Sequence, residues 1–246
     1  MQEVIPGVIQ LSRWWDQADL GSNVYLIDAG GELALVDTGF KGKEQLITER
    51  VRSLGFSASR ITAIIITHHH PDHIGGLAGL VELTKAKVIA HVADAPFVDG
   101  RLPQPGPSRP GWLCRAARPF NRLLATLPVK VDIEVGDGDE LPLAGGISIL
   151  HTPGHTPGSI CVFLKSGGAV FTGDLLAQRF GLKWPSIPFT ADVAQLKHSV
   201  QKLAGYQFES ACFGHGSPIT VNAGTRIRRF AGLPHAASAR PGIKAC

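Results

Sequence analysis

The stretch ITAIIITHHHPDHIGG, residues 61–76, places a cluster of histidine and aspartate directly after a run of apolar residues. The apolar run, residues 61–66, is rich in isoleucine, which is typical of a buried β-strand. Proteins that combine strands and helices often carry their reactive groups where a strand ends in a loop. The stretch therefore predicts a buried strand that delivers polar side chains to a functional site.

The polar cluster has the composition and the spacing of a metal site. His68 and His70 are two residues apart, so in an extended chain both imidazoles leave on the same side and can reach one ion. Pro71 favours this conformation because it keeps the preceding residue out of the helical region. Asp72 and His73 follow the turn and diverge from that pair, which suits a second ion. Imidazole and carboxylate are the usual donors to zinc.

Apolar runs bounded by turn residues recur along the chain, and we expect them to form strands. These runs are residues 4–11, 23–28, 33–37, 87–91, 129–135, 147–151, 159–164, 169–172 and 210–213. Apolar residues at helical spacing or in short apolar runs predict helices over residues 43–54, 76–83, 191–203 and 223–233. Strands followed by a helix thus occur twice, which predicts two packed sheets with helices on the outside.

The composition is that of a folded protein that does not bind nucleic acid. The 246 residues are 44% hydrophobic and 18% charged, and we expect one domain over residues 1–246. The formal charge of +4 is small and scattered, whereas a nucleic-acid surface shows clustered Lys and Arg. The segment 100–120 is rich in Pro and Arg and has no strand or helix period, so we predict a lid or loop insertion there.

The four cysteines and the absence of long apolar segments point to the cytoplasm. The cysteines are widely separated and form no CxxC pair, as expected of thiols in a reducing compartment. The first residues show no basic region followed by an apolar one, so we expect no signal peptide. No apolar run approaches the roughly 20 residues that cross a bilayer, so we expect no membrane partner.

Three further metal donors lie downstream, each beside turn glycines: His155 in TPGHTPGS, Asp174 in FTGD and His215 in FGHG. Together with THHHPDH at residues 67–73, and with Asp37 in LVDTG, they form a pattern that resembles the metallo-β-lactamase-fold hydrolase superfamily. The resemblance spans most of the chain, from residue 37 to residue 215. It implies an α+β fold arranged as a four-layer αβ/βα sandwich.

The resemblance also implies a set of ligands for two metal ions, most often zinc. In the ligand pattern that the resemblance implies, the first ion is held by His68, His70 and His155, and the second by Asp72, His73 and His215. Asp174 matches the carboxylate that bridges both ions. Asp37 matches an aspartate near the site that is not itself a ligand; a helix or turn cap is the alternative.

Two divalent ions at such a centre provide hydrolytic chemistry. A water shared by two zinc ions loses a proton near neutral pH and becomes a strong nucleophile toward an acyl carbonyl. Asp72 is then a candidate for moving a proton to the leaving group. The same donors also suit iron, manganese, cobalt or nickel.

The substrate class is the open part of the prediction. True β-lactamases of this fold generally lack the bridging aspartate, so Asp174 argues against that reaction as the main activity. Length and loop layout resemble lactonase or esterase-like members best, although the tyrosine that lactonases often carry after the bridging aspartate is missing. The alternatives are a glyoxalase II-like thioesterase, a promiscuous β-lactamase or phosphodiesterase, and, in another class, a non-catalytic metal-binding protein.

Aromatic residues in the loops around the predicted site suggest a small-molecule acyl substrate with an apolar part. They are Phe97, Trp112, Phe120, Phe180, Trp184 and Phe189. Ordinary loop packing is the alternative for each of them. A homodimer is the usual assembly of soluble proteins and is the default expectation.

Overall fold

The structure is a computed structural model that describes residues 1–12, 21–30, 32–105 and 125–234. In these residues two β-sheets pack against each other, and helices cover the outer face of each sheet. The four-layer sandwich predicted from the sequence is therefore confirmed.

The first sheet has seven strands arranged in the order of the chain. They are β1 (Gln2–Ile5), β2 (Val8–Gln10), β3 (Tyr25–Asp28), β4 (Leu33–Val36), β5 (Ile61–Ile65), β6 (Lys87–His91) and β7 (Ile133–Val135). The strands from β1 to β4 pair in antiparallel fashion, whereas those from β4 to β7 run parallel. The histidine cluster follows the carboxyl end of β5, a central strand with neighbours on both sides.

The second sheet has five strands, and a separate two-stranded hairpin lies beside it. The sheet contains β8 (Glu140–Leu141), β9 (Ile147–His151), β10 (Ile160–Leu164), β11 (Ala169–Phe171) and β14 (Ser210–Cys212), and the hairpin contains β12 (Ala177–Gln178) and β13 (Leu182–Lys183). Both β9 and β11 are antiparallel to β10, and β14 is parallel to β11. The strands β9, β11 and β14 therefore run in one direction and end at the same edge.

Within the described residues, six α-helices and three 3₁₀ turns accompany the strands. The helices are α1 (Glu44–Ser53), α2 (Pro71–Ile74), α3 (Leu77–Thr84), α4 (Ala95–Val98), α5 (Val193–Ala204) and α6 (Ala223–Phe230). The 3₁₀ turns are Ala58–Arg60, Gly173–Leu175 and Ile187–Phe189. No helix within the described residues has the length and apolar character needed to cross a membrane.

Successive side chains of a strand point to opposite faces of the sheet, so the apolar residues of the first sheet divide between two layers of core. Ile65 of β5 points inward and packs in the cluster between the sheets, together with Ile149 and Phe171 of the second sheet. Its neighbour Ile64 points outward and joins a second cluster with Ile47 of α1. Burial of each such side chain contributes about 1.5–3 kcal/mol. The apolar run before the histidines is thus buried on both faces, which fixes the strand that carries them.

The second sheet repeats this plan with its own helices. Leu196 and Val200 lie four residues apart on α5 and pack with Phe163 of β10, and Ile227 of α6 joins the same cluster. These helices lie on the face of the second sheet that is turned away from the first sheet.

Several predicted elements are shorter in the structure or are divided. The strand expected over residues 4–11 is two strands, because Pro6 and Gly7 form a turn in which Gly7 has φ of 78°. The strand expected over residues 129–135 is reduced to Ile133–Val135. The helix expected from residue 76 is preceded by a separate helical turn, Pro71–Ile74, which contains Asp72 and His73.

Candidate metal centre

Loops from both sheets bring the seven predicted ligands together. His68, His70, Asp72 and His73 follow β5 in the first sheet, and His155, Asp174 and His215 follow β9, β11 and β14 in the second. The three strands of the second sheet end at the same edge, which explains how residues sixty positions apart in the chain come into contact. We call His68, His70 and His155 the first ligand group, and Asp72, His73 and His215 the second ligand group.

The first ligand group consists of three neutral imidazoles. One nitrogen from each of its histidines lies within 4.8 Å of the others. The rings meet edge to face, with centroids 4.6–4.9 Å apart. Burial, together with neighbouring histidines, holds the pKa of His68 and of His70 well below its usual value, and burial also lowers the pKa of His155. The group therefore offers unprotonated nitrogen atoms at neutral pH.

The second ligand group contains a carboxylate and has the opposite electrostatic character. Asp72 Oδ2 lies 3.2 Å from His215 Nε2 and 3.6 Å from His73 Nε2. Burial opposes the charge of each group, but the attraction between them is stronger. It lowers the pKa of Asp72 to about 2, while Asp72 and the other carboxylates nearby raise the pKa of His73 to about 9 and that of His215 to about 10.

Asp174 lies between the two groups and contacts both. Its Oδ2 is 3.5 Å from His155 Nε2 and 3.4 Å from His215 Nε2, and its Oδ1 is 3.5 Å from His73 Nε2. Burial would raise the pKa of this carboxyl, but His215 and His73 hold it far below its usual value. An ionised carboxylate in this position can serve an ion in either group.

The donor atoms of the centre fit a metal ion. His68 Nε2, His73 Nε2, His155 Nε2 and Asp174 Oδ1 are buried and have no hydrogen-bond partner within the described residues. Buried polar atoms are normally paired, because an unpaired one costs roughly 1–3 kcal/mol. Imidazole nitrogen and carboxylate oxygen are the donors that zinc and related divalent ions take. The unpaired atoms converge, which is the arrangement a bound cation would satisfy.

Asp37 orients ligands in both groups without lying among them. Its Oδ2 accepts hydrogen bonds from His73 Nδ1 at 2.7 Å and from the hydroxyl of Thr67 at 2.8 Å, and its Oδ1 accepts from the backbone N–H of Thr67. The Thr67 hydroxyl lies 3.1 Å from His68 Nδ1. Since that hydroxyl donates to Asp37, it accepts from His68, and each of the two rings then presents Nε2 to the centre. Asp37 adopts φ of 61°, an uncommon backbone conformation outside glycine.

Thr190 plays the corresponding part for His155. Its hydroxyl lies 3.2 Å from His155 Nδ1 and donates to the carbonyl of Ser186 at 3.0 Å. It therefore accepts from Nδ1, which again leaves Nε2 free to bind a cation. Thr190 was not predicted from the sequence, because the two residues are 35 positions apart and no motif surrounds the threonine.

The loop that carries His215 is held in place by Asn23, a residue that was also not predicted from the sequence. The Asn23 amide donates to the carbonyl of Phe213 at 2.8 Å and to that of Gly216 at 2.7 Å, and its backbone N–H donates to the carbonyl of Gly214. These three bonds bracket His215 on both sides. His215 Nδ1 itself lies 3.4 Å from a guanidinium nitrogen of Arg179.

Gly214 is required by the close packing of the centre. A Cβ atom at this position would overlap Asp174 Oδ1 and the ring of His73. A glycine therefore allows the β14 loop to approach the other ligands closely.

A cavity of about 750 Å³ opens over the centre. His70, Asp72, His155, Asp174 and His215 form part of its wall. Of the predicted pocket residues, Phe97, Trp184 and Phe189 line it, together with residues 100 and 102–105. The cationic side chains of Arg179 and Lys183 also reach it.

The other predicted pocket residues are not in this wall. Phe180 is fully exposed and does not line the cavity as the described residues form it; it has φ of 55° at the tip of the hairpin of β12 and β13. Trp112 and Phe120 lie outside the described residues, as do residues 106–120 of the proposed lid.

Three histidines and a tyrosine outside the seven predicted ligands have structural contacts or are buried. His151 stacks on His91 with centroids 3.8 Å apart, and its Nε2 lies 2.9 Å from the carbonyl of Pro157. His69, between the two predicted ligands His68 and His70, is buried. The hydroxyl of Tyr25 donates to the carbonyl of Phe213 and so does not face the cavity.

Comparisons with known proteins agree with this geometry. A sequence model described as the metallo-beta-lactamase superfamily matches residues 18–215. YflN of Bacillus subtilis (strain 168), described as a probable metallo-hydrolase, is 32% identical over 218 residues, which cover 81% of this chain and 82% of the relative. The hydroxyacylglutathione hydrolase of Ruegeria pomeroyi is 33% identical over 196 residues, which cover 78% of this chain but only 61% of that enzyme.

Solved structures show the same architecture. A metallo-beta-lactamase family protein from Thermus thermophilus matches with a TM-score of 0.71 and 24% identity over 94% of this chain and 80% of that one. A subclass B3 metallo-beta-lactamase of Bradyrhizobium japonicum matches with a TM-score of 0.65 and 23% identity over 92% and 89% of the two chains. At these identities the likeness concerns the fold alone.

Proposed function

The chain belongs to the metallo-β-lactamase superfamily, and on that premise we propose that it is a two-metal hydrolase of lactones or carboxylic esters. The observation that carries the proposal is the convergence of seven side chains that can bind metal, five of which line a largely apolar cavity of about 750 Å³. Members of this superfamily are metallo-hydrolases, and the choice of lactone or ester is our own.

The residues present would hold two divalent ions, with zinc as the first choice. His68, His70 and His155 would take one ion, and Asp72, His73 and His215 the other, while Asp174, which contacts histidines of both groups, would support either ion. When bound, two such ions lower the pKa of water to near neutrality and polarise the carbonyl of the substrate.

The protein itself supplies charge, orientation and proton transfer. Asp72 and Asp174 provide two negative charges that balance the cations, and Asp37 and Thr190 fix the histidine rings. Asp72 lines the cavity and its pKa of about 2 keeps it ionised. A pKa of about 2 makes it a weak base, so the role we propose for it is to relay a proton from the attacking water to the leaving group rather than to hold that proton.

The cavity wall favours a substrate with an apolar part. Phe97, Leu102, Trp184 and Phe189 line it, and such surfaces bind acyl chains or rings by excluding water. Tyr25 and Tyr206 are the only tyrosines of the chain, and neither lines the cavity as the described residues form it. We therefore expect the developing charge on the carbonyl oxygen to be held without a tyrosine.

Thioester hydrolysis is the second candidate, and a specific similarity favours it. The relative from Ruegeria pomeroyi is a hydroxyacylglutathione hydrolase, and it shares 33% identity with this chain. A thioester carbonyl would meet the same ligands, so the two candidates differ in the part of the substrate that leaves.

A substrate panel on the metal-loaded protein tests the proposal. It would compare acyl-homoserine lactones, aryl esters, S-lactoylglutathione, nitrocefin and a phosphodiester. We expect lactones or esters to show the highest kcat/KM, and we expect activity to vanish in Asp174→Asn but not in His198→Ala, which changes an exposed residue of α5.

Each contrary result has a defined meaning. Highest activity on S-lactoylglutathione would replace the lactone proposal with the thioester one. Metal binding without turnover of any substrate would support a non-catalytic metal-binding protein. Fewer than about 1.5 metal ions per chain, in protein purified without chelators, would contradict the two-metal mechanism.

A further inference from the structure

Asp94 is a buried carboxylate outside the seven ligands, at the point where β6 passes into α4. Only 1% of it is exposed. An aspartate directly before a helix commonly caps it by accepting a hydrogen bond from the first turn. Asp94 makes no such side-chain bond to α4. Its carboxylate is turned away from the helix and toward the metal centre.

The carboxylate accepts hydrogen bonds from two ligand-bearing loops. Its Oδ2 accepts from the backbone N–H of His69 at 2.9 Å and from the hydroxyl of Thr156 at 2.8 Å, and its Oδ1 accepts from the backbone N–H of Gly158 at 2.7 Å. His69 is flanked by His68 and His70, and Thr156 follows His155. One side chain thus connects the two segments that supply the whole first ligand group.

The packing around Asp94 is too close for a larger neighbour. A Cβ atom at position 158 would overlap the backbone nitrogen, Cβ and Cγ of Asp94. The Thr156 hydroxyl also contacts the hydroxyl of Ser159 at 2.8 Å, which fixes the loop from its own side. These contacts place the carboxylate at one position relative to both segments.

Asp94 also connects the first ligand group to the cavity wall. His69 Nδ1 lies 3.0 Å from Asp94 Oδ2, and the His69 ring stacks on Phe97 with centroids 4.4 Å apart and an angle of 24°. Phe97 lines the cavity. The buried ring of His69 thus lies between Asp94 and Phe97.

We propose that Asp94 is a positioning residue that sets the geometry of the first ligand group by tying the segment of His68 and His70 to the segment of His155. It touches neither a donor atom nor the cavity. Its effect is to hold the backbone of the two segments at the separation that one ion requires. Groups behind metal ligands commonly change metal affinity by about 10–100-fold when they are replaced.

The test is a competitive titration of the metal-free protein with zinc or cobalt and a chelator of known affinity. In the wild type we expect separate binding steps for the two ligand groups, identified with His155→Ala for the first and Asp72→Asn for the second. Asp94→Asn should weaken the first-group step about 10–100-fold and leave the second within a few-fold. The absorption spectrum of bound cobalt reports the same change without any substrate.

A milder variant keeps the test informative if Asp94→Asn folds poorly. Thr156→Val removes one of the hydrogen bonds and should weaken the first step by a smaller factor. Asp132→Asn is the matched control, because Asp132 also accepts a backbone N–H, that of Val88, but has no contact with the ligand loops. It should leave both steps unchanged.

The inference is overturned if Asp94→Asn and Thr156→Val lower the thermal stability of the metal-free protein but bind both ions with wild-type affinity. An equal loss at both groups would also contradict it, because Asp94 contacts only the segments of the first. The inference assumes the metal centre of the proposed function and does not depend on the substrate. A wrong substrate proposal would therefore leave this titration unaffected.

Discussion

The two ligand groups lie side by side but are built differently. The first has three imidazoles and no carboxylate of its own, and burial keeps the pKa values of those imidazoles low. In the second, Asp72 pairs with His73 and His215, whose pKa values rise to about 9 and about 10. The first group is therefore ready to bind a cation at neutral pH, whereas the second holds protons that a cation must displace.

The largest expected effect comes from removing the contact between the groups. Asp174→Asn keeps the size of the side chain but removes the charge that faces His155, His73 and His215. We expect kcat/KM to fall by at least about 100-fold, the upper end of the effect of a group that only supports a ligand. Metal analysis should show fewer ions per chain. Full metal content with wild-type activity would show that the groups act independently.

The pH dependence of metal binding is the most direct test of the difference in charge. At pH 7 we expect an ion at the second ligand group to release two protons, from His73 and His215, and an ion at the first to release none. The affinity of the second group should then rise about tenfold per proton for each pH unit. Calorimetry in buffers of different ionisation enthalpy counts the protons. Release of equal numbers of protons from the two ligand groups would contradict the proposed difference in their charge.

The same pKa shifts give the sign of an effect on stability in the metal-free protein. His73 and His215 have raised pKa values, so their pairing with the carboxylates stabilises the fold fully below about pH 6.5, the unfolded value. This contribution is lost as the pH rises through about 9 and about 10. Asp72→Asn should reduce the loss, which chemical denaturation of metal-free protein at pH 7 and pH 10 would measure.

The hydrogen bonds to Nδ1 of His73 and of His155 allow a further comparison of the two ligand groups, with a smaller expected effect. Asp37→Asn removes a charged acceptor from His73 and should weaken the second ligand group about 10–100-fold. Thr190→Val removes a neutral hydroxyl from His155 and should weaken the first group by a smaller factor, because hydrogen bonds to charged groups are stronger. Chelator competition on both variants gives the two ratios. A larger effect of Thr190→Val would contradict this order.

The sequence predicted the side chains that converge at the centre better than the contacts that hold them in place. The donors at residues 68–73 are encoded locally, by a strand, a proline and a two-residue spacing. Asp94, Thr190 and Asn23 act on residues 25 to 193 positions away, and such pairs exist only after the sheets have assembled. No local pattern distinguishes these three residues from ordinary caps or turn residues.

The two-sheet plan was predictable for a related reason. The longer strands of both sheets are visible in the sequence as apolar runs, and these runs predicted the strands. In contrast, β8, β12 and β13 have only two residues each, which is too short for any such pattern. Phe180, predicted with the other loop aromatics to line the pocket, is fully exposed and is not part of the cavity wall that the described residues form. It lies at the tip of the hairpin of β12 and β13, a position that the sequence pattern did not indicate.

The smallest expected effect extends the comparison into the cavity, whose two sides differ. Phe189 lies near the first ligand group, with its ring centroid 6.4 Å from that of His70, whereas Arg179 lies against His215 of the second. An apolar acyl chain should therefore lie over the first group.

Phe189→Ala should raise KM about three- to tenfold for long-chain substrates, as expected from losing about 1 kcal/mol of apolar contact. The rise in KM should be smaller for short-chain substrates. Phe180→Ala, which removes an equally large but fully exposed ring, is the matched control and should change neither. If the two variants behave alike, or if the change in KM does not depend on chain length, the apolar side of the cavity does not bind the acyl chain. The difference between the two ligand groups would then have no counterpart in substrate binding.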